Sequence, residues 1–212
     1  MLIEFLVEDA STEAFLEVIL PKILDRSIFD NCQIHQFGGK DRLLKNLSNR
    51  LKGYKNWITD DDKIVVLIDR DRDDCRELKN KIEEIAKDAG LITKSLARDN
   101  LKYAVLNRIV IEELEAWYFG DINAICKAYP GVSDNLDKRK GYRDPDSIKG
   151  GTAERLKKVL SDAGYHNHQG RLPKTQVAKD IAQYMEPRNN RSESFQIFYT
   201  ALQEMTSLKK MS

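Results

Sequence analysis

The sequence is poor in cysteine and has no long apolar run. Its three cysteines, Cys32, Cys75 and Cys126, lie far apart and form no C-x-x-C pair. This spacing argues against a disulfide framework and against a zinc site of the usual kind. No apolar run approaches the roughly 20 residues that span a bilayer, and the first residues lack the basic flank and the cleavage site of a secretory signal. We therefore expect a reduced, cytoplasmic protein without a membrane partner.

A Walker A string, G-x-x-x-x-G-K-[ST], is also missing, so any nucleotide hydrolysis must come from another protein. The 212 residues, 41% hydrophobic and 33% charged, suit one soluble domain or one domain with an appendage. Net charge is only +1, but residues 137–191 hold 13 Lys/Arg against 7 Asp/Glu, and the preceding part is net negative. This asymmetry suits an enzyme that acts on a polyanion, although solvated helix faces would give the same counts.

The apolar pattern predicts an α/β fold with a mainly parallel sheet flanked by helices. Ile64–Ile68 is a run of five aliphatic residues, which is typical of a strand covered on both faces. Strand and helix patterns alternate around it, which favours parallel strands joined by crossover connections. The other predicted strands are residues 2–7, 33–37, 91–96 and 103–111, and the intervening predicted helices are residues 11–24, 41–54 and 76–89.

After residue 111 the pattern becomes helical, which predicts a C-terminal extension. The predicted helices there are residues 112–120, 122–129, 152–163, 175–185 and 194–208, with a surface loop over residues 130–151. We predict a catalytic domain over residues 1–121 and a helical extension over residues 122–212 that packs on it.

Two acidic strings follow predicted strands. Glu8 ends the first strand, and Asp69 and Asp71 follow the run Ile64–Ile68. The carboxyl ends of parallel strands meet at one edge of a sheet, where ligands bind. While the chain stays extended, Asp69 and Asp71 would also share a face. Crowded carboxylates repel one another unless a cation lies between them, and Mg²⁺ or Mn²⁺ takes oxygen ligands. The sequence therefore predicts a divalent metal site for phosphate chemistry.

The spacing D-x-D-x-D has other interpretations. A calcium loop of the EF-hand type needs glycine at its sixth position and glutamate at its twelfth. Those positions hold Asp74 and Asn80, so that interpretation is discarded. A small-molecule phosphatase with Asp69 as an aspartyl nucleophile remains open, and so does a merely solvated acidic loop.

The two strings together resemble the TOPRIM fold of topoisomerases, primases and OLD-family nucleases. The string L-V-E-D-A-S-T-E at residues 6–13 is similar to the V-E-G-x-T/S-D-E opening of small TOPRIM proteins found beside ATPases in bacterial defence loci. The string V-L-I-D-R-D at residues 66–71 resembles their D-x-D strand, and E-L-E-A-W at residues 113–117 resembles a further E-x-E-A-W element. Asp9 stands where that pattern has glycine, and Thr12 where it has an acidic residue.

This resemblance implies a Mg²⁺-dependent endonuclease that hydrolyses phosphodiester bonds of DNA or RNA, tRNA included. It also implies a nearby-encoded partner ATPase of the ABC/AAA kind and a role in anti-phage defence. Homo-oligomers are a further expectation, which the resemblance does not supply. Glu8 would be a metal ligand or general acid/base, Asp69 and Asp71 would hold Mg²⁺, and Glu113 and Glu115 would complete a second metal position. The last two could instead supply negative charge to a helix N-terminus. A non-catalytic TOPRIM-fold subunit of an ATPase complex is the alternative function.

Basic residues of the second half are the candidates for contact with nucleic acid. Lys174 opens a predicted helix and could neutralise a phosphate in the transition state, a role that the resemblance also favours. A loop with interleaved Tyr142 could bind phosphates and stack a base; its basic candidates are Lys138, Arg139, Lys140 and Arg143. The same sequence pattern would also result from a solvated lysine at a helix start and from an ordinary solvated loop. His166 and His168 receive no metal assignment, because only one further histidine is present.

Overall fold

The structure, a computed structural model, describes residues 1–98, 102–167 and 170–207. Its sheet has four parallel strands in the order β2-β1-β3-β4. The strands are β1 (Ile3–Val7), β2 (Cys32–Gln36), β3 (Lys63–Asp69) and β4 (Val105–Val110). Strand β1 pairs with both β2 and β3, so the strands that precede the two acidic strings are neighbours. The predicted α/β fold with a parallel sheet is confirmed.

Helices connect the strands and continue after the last one. Strand β1 is followed by helices α1 (Ala10–Ile23) and α2 (Arg26–Phe29), β2 by α3 (Lys40–Lys55), and β3 by α4 (Cys75–Asp88). After β4 come α5 (Glu115–Phe119), α6 (Ile122–Ala128), α7 (Thr152–Asp162), α8 (Lys174–Ala182) and α9 (Glu193–Ser207). Short 3-10 helices lie at Leu136–Lys138, Pro145–Ser147 and Pro187–Asn189. Among the helices of the described residues, none has both the length and the apolar character that a membrane crossing needs.

Two hydrophobic cores lie on the two faces of the sheet. Alternate side chains of a strand point to opposite faces, and Phe5 and Val65 enter one core while Leu6 and Val66 enter the other. The second core is closed by leucines of α3 and by α4. The first is closed by α1 together with the helices that follow β4. The aliphatic run in β3 is therefore buried on both sides, as predicted.

The last helix, α9, buries one apolar face against the sheet half of the chain. Phe195, Phe198, Leu202 and Met205 of α9 lie in the same core as Phe15 of α1. The indole of Trp117 stacks on the ring of Phe198 and donates a hydrogen bond to Ser194 Oγ at 2.7 Å. The helical extension thus shares a core with the sheet, and the boundary at residue 121 stays a prediction. Leu208, the end of the predicted helix, lies outside the described residues.

The predicted strand over residues 91–96 is wrong. Helix α4 ends at Asp88, Gly90 has a φ of +74°, and the segment that follows forms only an isolated bridge between Thr93 and Val105. The apolar residues Ile92 and Leu96 suggested a strand, but both side chains are more than half exposed. The loop over residues 130–151 is found, but two of the 3-10 helices lie within it.

Lys22 joins helix α1 to the end of helix α8. Its Nζ donates to the carbonyl oxygens of Ala182 at 3.0 Å, Gln183 at 2.7 Å and Met185 at 2.9 Å. The last carbonyls of a helix have no partner within the helix, so a lysine there both satisfies them and offsets the helix dipole. This contact fixes the position of α8 along α1.

Glu83 of α4 predicts a pH dependence of stability. Burial alone would raise its pKa, but hydrogen bonds from Lys79, Thr93 and Asn107 outweigh burial and hold the pKa below its ordinary value of 4.5. The folded state therefore binds fewer protons than the unfolded chain at this group, so its stabilisation is present above that value and is lost as the pH falls through the depressed pKa.

We expect Glu83→Gln to flatten the acid side of a plot of melting temperature against pH. Glu84→Gln is the matched control, because Glu84 is the exposed neighbour on the same helix. Thermal melts in buffers on both sides of pH 4.5 measure the effect, and superimposable acid limbs for Glu83→Gln and the wild type would refute it.

Candidate functional site

Acidic residues gather at the carboxyl edge of the sheet. Glu8 follows β1 directly, Asp69 is the last residue of β3, and Glu113 follows β4. Because these strands are parallel neighbours, all three residues emerge at one edge. Glu8 Oε1 accepts a hydrogen bond from the Asp69 N–H at 2.6 Å, and Asp69 Oδ2 accepts one from the Leu114 N–H at 3.4 Å. The structure thus places Glu8 beside Asp69, while their chemical roles stay predictions.

The carboxyl groups at this edge are close enough to repel one another. Burial raises the pKa of Glu8 to about 7, although the Asp69 N–H and the charge of Lys40 act against it. The pKa of Asp69 is raised well above its ordinary value, first by burial and then by the charges of Glu8 and Glu115. Such mutual repulsion is the electrostatic environment that favours a bound cation.

Asp71 takes a different position from the one expected. The sequence predicts that Asp69 and Asp71 share a face of an extended chain, but Asp71 has a φ of +51°, in the left-handed region that aspartate tolerates. Strand β3 has ended, and the Asp71 N–H donates to the Glu112 carbonyl at 2.8 Å. The side chain is exposed and pairs with Lys40. Throughout residues 1–98, 102–167 and 170–207, no three His, Cys, Asp or Glu side chains are grouped closely enough to hold a metal ion as they stand.

Lys40 is the site residue that the sequence did not indicate. Its Nζ lies 2.7 Å from Asp71 Oδ2 and 2.9 Å from Asp73 Oδ2, and it donates to the Arg70 carbonyl at 3.0 Å. Burial alone would lower its pKa, but the bonds to Asp71 and Asp73 raise it above the ordinary value. The sequence feature that could have indicated Lys40 is its position directly after Gly38 and Gly39. Strand β2 ends at the same edge of the sheet, and Lys40 is the first residue of the helix that follows.

A second carboxylate pair surrounds Lys174. Glu115 is only 2% exposed; its Oε1 lies 3.2 Å from Lys174 Nζ, and its Oε2 has no hydrogen-bond partner among the described residues. Burial raises the pKa of Glu115 despite the nearby lysine. Burial acts to lower the pKa of Lys174, but the charges of Glu115 and Glu113 outweigh it and raise the pKa, so this lysine stays protonated.

Glu113 is held by the start of helix α7. Its Oε2 accepts hydrogen bonds from the Ala153 N–H at 3.0 Å and from Thr152 Oγ1 at 3.1 Å, and its Oε1 lies 3.7 Å from Lys174 Nζ. A carboxylate at a helix N-terminus is stabilised by the free N–H groups and the dipole. Glu113 thus supplies negative charge to the N-terminus of α7, a helix that is remote from it in sequence. Glu115, by contrast, is the first residue of its own helix, α5.

A cleft of about 520 Å³ opens beside these residues. Gly150 and Gly151 form one side of it with φ of +87° and +81°, and a Cβ on Gly151 would lie 2.1 Å from Glu154 Oε2. The charged side chains that line the cleft are Asp71, Arg72, Glu112, Glu113 and Glu154. It is large enough to admit a phosphate group and part of a nucleotide.

The predicted nucleic-acid residues lie on the surface. The exposed ones are Lys138, Arg139, Lys140 and Arg143. Tyr142 is half-buried, and its ring packs on Phe119 with the centroids 5.4 Å apart. Trp117, the last residue of the E-L-E-A-W string, is fully buried in the core. His168 lies outside the described residues.

The fold and the edge residues define an α/β protein with an acidic, lysine-flanked site. The chain belongs to the family described as a domain of unknown function, DUF4276, whose family model matches residues 7–203. No curated protein matches the sequence.

Two solved structures of OLD proteins are similar to this chain over nearly their whole length. The C-terminal region of the Xanthomonas campestris pv. campestris OLD protein is 15% identical with a TM-score of 0.48, and the match covers 99% of this chain and 98% of that one. The C-terminal region of the Burkholderia pseudomallei OLD protein is 15% identical with a TM-score of 0.47, covering 95% and 97%.

Proposed function

We propose that this protein is a divalent-cation-dependent phosphodiesterase that cleaves nucleic acid. The observation that supports this most is the charge at the sheet edge, where Glu8, Asp69 and Glu115 are buried or half-buried carboxyl groups with raised pKa values. Burying charges that repel one another lowers stability, and perturbed groups of this kind concentrate at functional sites. A cleft that could admit a phosphate is lined by the neighbouring residues Asp71, Arg72 and Glu113.

The donor chemistry fits Mg²⁺ or Mn²⁺, which prefer carboxylate oxygens. Glu115 Oε2 has no partner in the described chain, and Asp69 Oδ2 has only a long hydrogen bond. Glu8, Asp69 and Asp71 would hold one ion, and Glu113 and Glu115 a second. An ion would compete with Lys40 for Asp71 and with Lys174 for Glu115. When bound, it would polarise phosphate oxygens and offset the charge that develops on them.

The chain's own residues would supply the remaining functions. Lys174 and Lys40 stay protonated, so each can neutralise a phosphate oxygen that displaces a carboxylate contact. Where Glu8 is not a ligand of the ion, its pKa of about 7 lets it hold or release a proton near neutral pH, as a general acid or base must; as a ligand it would stay ionised. Arg72 in the cleft would contact the phosphate backbone. The exposed basic residues of the loop, Lys138, Arg139, Lys140 and Arg143, would extend that contact.

A cleavage assay tests this proposal. We expect the protein to nick supercoiled plasmid or to cut tRNA in Mg²⁺ or Mn²⁺, and to do neither in EDTA. Glu8→Gln should lower the rate by about a hundredfold or more, since a positioned general acid or base typically contributes roughly 10²–10⁴-fold. Glu17→Gln is the control, because Glu17 is an exposed carboxylate of helix α1 away from the edge. Cleavage that persists in EDTA, or an unchanged rate in Glu8→Gln, would rule the proposal out.

A non-catalytic subunit of an ATPase complex is the second candidate function. It is favoured by the two lysines, which already offset the carboxylates in the described chain. The absence of cleavage together with the absence of a metal-dependent thermal shift would favour it, whereas turnover of p-nitrophenyl phosphate would favour the phosphatase alternative. The ABC/AAA-type partner and the anti-phage role rest on the motif resemblance alone, and copurification with a neighbouring ATPase tests them.

A further inference from the structure

Helix α3 carries a surface of unpaired positive charge. From residue 42 to residue 56 the chain holds five Lys or Arg residues and no Asp or Glu. The five exposed cations are Arg42, Lys45, Arg50, Lys52 and Lys55. In the described residues the ion pairs of α3 involve only Lys40, its first residue, and the one acidic residue of the helix, Asp41, forms none. The net charge of the whole chain is only +1, so this concentration of charge is local.

An ordinary solvated helix face does not need this pattern. The next helix, α4, is also exposed on one side, and its sequence holds four basic and four acidic residues. Opposite charges three or four positions apart stabilise a helix, and like charges at that spacing destabilise it. The dipole of α3 favours Lys52 and Lys55 near its end but opposes Arg42 in its first turn. The charge of α3 therefore lowers the stability of the helix unless an anion from outside the chain offsets it.

The basic surface begins at the acidic edge of the sheet. Lys40 opens α3 there and pairs with Asp71. Because β2 and β3 are parallel to β1, the helix between them runs back from that edge, and its 16 residues span about 24 Å. Lys45 and Lys52 are seven residues apart, which places them on one side of the helix about 10.5 Å from each other. The exposed acidic residues Asp60 and Asp61 follow the helix, so the basic surface ends before them.

The chemistry of this surface selects a polyanion as the occupant. The large apolar side chains that are exposed in the described residues all lie outside α3: Trp57, Ile92, Leu96, Tyr184 and Ile197. The apolar side of α3 is buried in the core. A helix that binds a membrane surface needs a free apolar face besides its cations, and a protein interface is anchored by apolar or aromatic side chains. Phosphate groups need only cations and neutral donors such as Asn49, which is exposed on the same helix.

We propose that the exposed face of α3 binds the phosphate backbone of nucleic acid and leads it to the acidic edge of the sheet. The inference rests on the proposed function, because that function supplies the class of substrate. Arg42 and Lys45 contact the phosphates nearest the carboxylates, and Lys52 contacts phosphates further along. Contacts with phosphates carry no sequence information, so binding through α3 is independent of base sequence.

Fluorescence anisotropy in EDTA measures this binding without cleavage. The probes are a short labelled DNA duplex and a single-stranded RNA of the same length, each titrated at several salt concentrations. Lys45→Gln and Lys52→Gln should each make the slope of log affinity against log salt shallower, by about 0.9 for the duplex and about 0.7 for the single strand. The double variant K45Q/K52Q should bind about tenfold or more weakly at 0.1 M salt, and equally so for probes of different sequence.

Lys158→Gln is the matched control. Lys158 is an exposed lysine of α7, a helix that packs on the other face of the sheet, and its charge is already paired with Asp162. The same loss of charge should leave the salt slope unchanged there. Circular dichroism melts check that each variant is folded; glutamine and lysine have similar helix propensities.

The outcomes separate this inference from the proposed function. Salt slopes of Lys45→Gln and Lys52→Gln that equal the wild-type slope would overturn the inference, even if the protein cleaves nucleic acid. A wild type that binds neither probe but binds vesicles of phosphatidylserine would also overturn it. Shallower slopes in a protein that never cleaves would support the binding surface and refute only the proposed catalysis.

Discussion

Replacing Asp69 by asparagine is expected to raise the melting temperature of the metal-free protein at neutral pH and to abolish the proposed cleavage. Asp69 ends strand β3, where burial and the charges of Glu8 and Glu115 make its ionised form unfavourable. Asparagine keeps an oxygen for the Leu114 N–H and removes the charge. Each kcal/mol gained corresponds to about 2–4 °C in a chain of this length.

The loss of activity has a separate cause. A cation that stabilises charge in a transition state supplies several kcal/mol, so the loss of a principal ligand should lower the rate by about a hundredfold or more. Thermal melts in EDTA and cleavage assays in Mg²⁺ measure the two effects on one variant. Asp73→Asn is the control, because Asp73 lies in the same acidic segment but is exposed, and its carboxylate pairs with Lys40. An Asp69→Asn variant that melts lower than the wild type, or that cleaves normally, would contradict this account.

The second large effect is expected from Gly120→Ala. Gly120 has ordinary helical dihedral angles, but a Cβ there would lie 1.9 Å from Asn190 Oδ1 and 2.7 Å from its Cγ. Asn190 is buried; its Nδ2 donates to the Trp117 carbonyl at 2.7 Å and its Oδ1 accepts from the Ser192 N–H at 2.9 Å. Overpacking together with the loss of these bonds should cost about 3 kcal/mol, which lowers the melting temperature by roughly 6–12 °C.

Gly53→Ala is the matched control for this prediction. Gly53 also lies in a helix, and nothing stands within 4 Å of its added Cβ. Alanine should stabilise that helix by about 0.5–1 kcal/mol, because glycine loses more backbone entropy on folding. The same substitution thus has opposite signs at the two sites. Equal melting temperatures for the two variants would show that the contact with Asn190 does not constrain Gly120.

Sequence pattern was sufficient for the four parallel strands and for the proximity of Glu8 and Asp69, but not for the position of Asp71. The aliphatic run in β3 can be satisfied only between two covered faces, and parallel crossover connections then bring the ends of β1 and β3 to one edge. The proximity of Glu8 and Asp69 follows from these local rules. The segment after Gly90 was harder to predict, because Ile92 and Leu96 suggested a strand although both side chains lie on the surface.

The remaining features of the site depend on contacts between residues far apart in the chain. Glu113 binds the N-terminus of α7 across 40 residues, and Lys40 reaches the acidic loop across 31 positions to Asp71. The hydrophobic periodicity of the sequence contains no information about such pairings. The left-handed turn at Asp71 was equally hidden, since the D-x-D spacing is the same in an extended strand and in a turn. Tertiary contacts, not propensity, decide these positions.

Lys22 has a consequence for protein engineering. Lys22 of α1 binds the C-terminal end of helix α8, and the first residue of α8 is Lys174. The position of the Lys174 ammonium group next to Glu115 therefore depends on a contact made by α1. A shift of α8 by one turn, about 5.4 Å, would move the Lys174 ammonium group away and leave the buried Glu115 carboxylate without its cation. A graft of the sheet onto another scaffold would therefore need both helices and the lysine between them to be transferred as one piece.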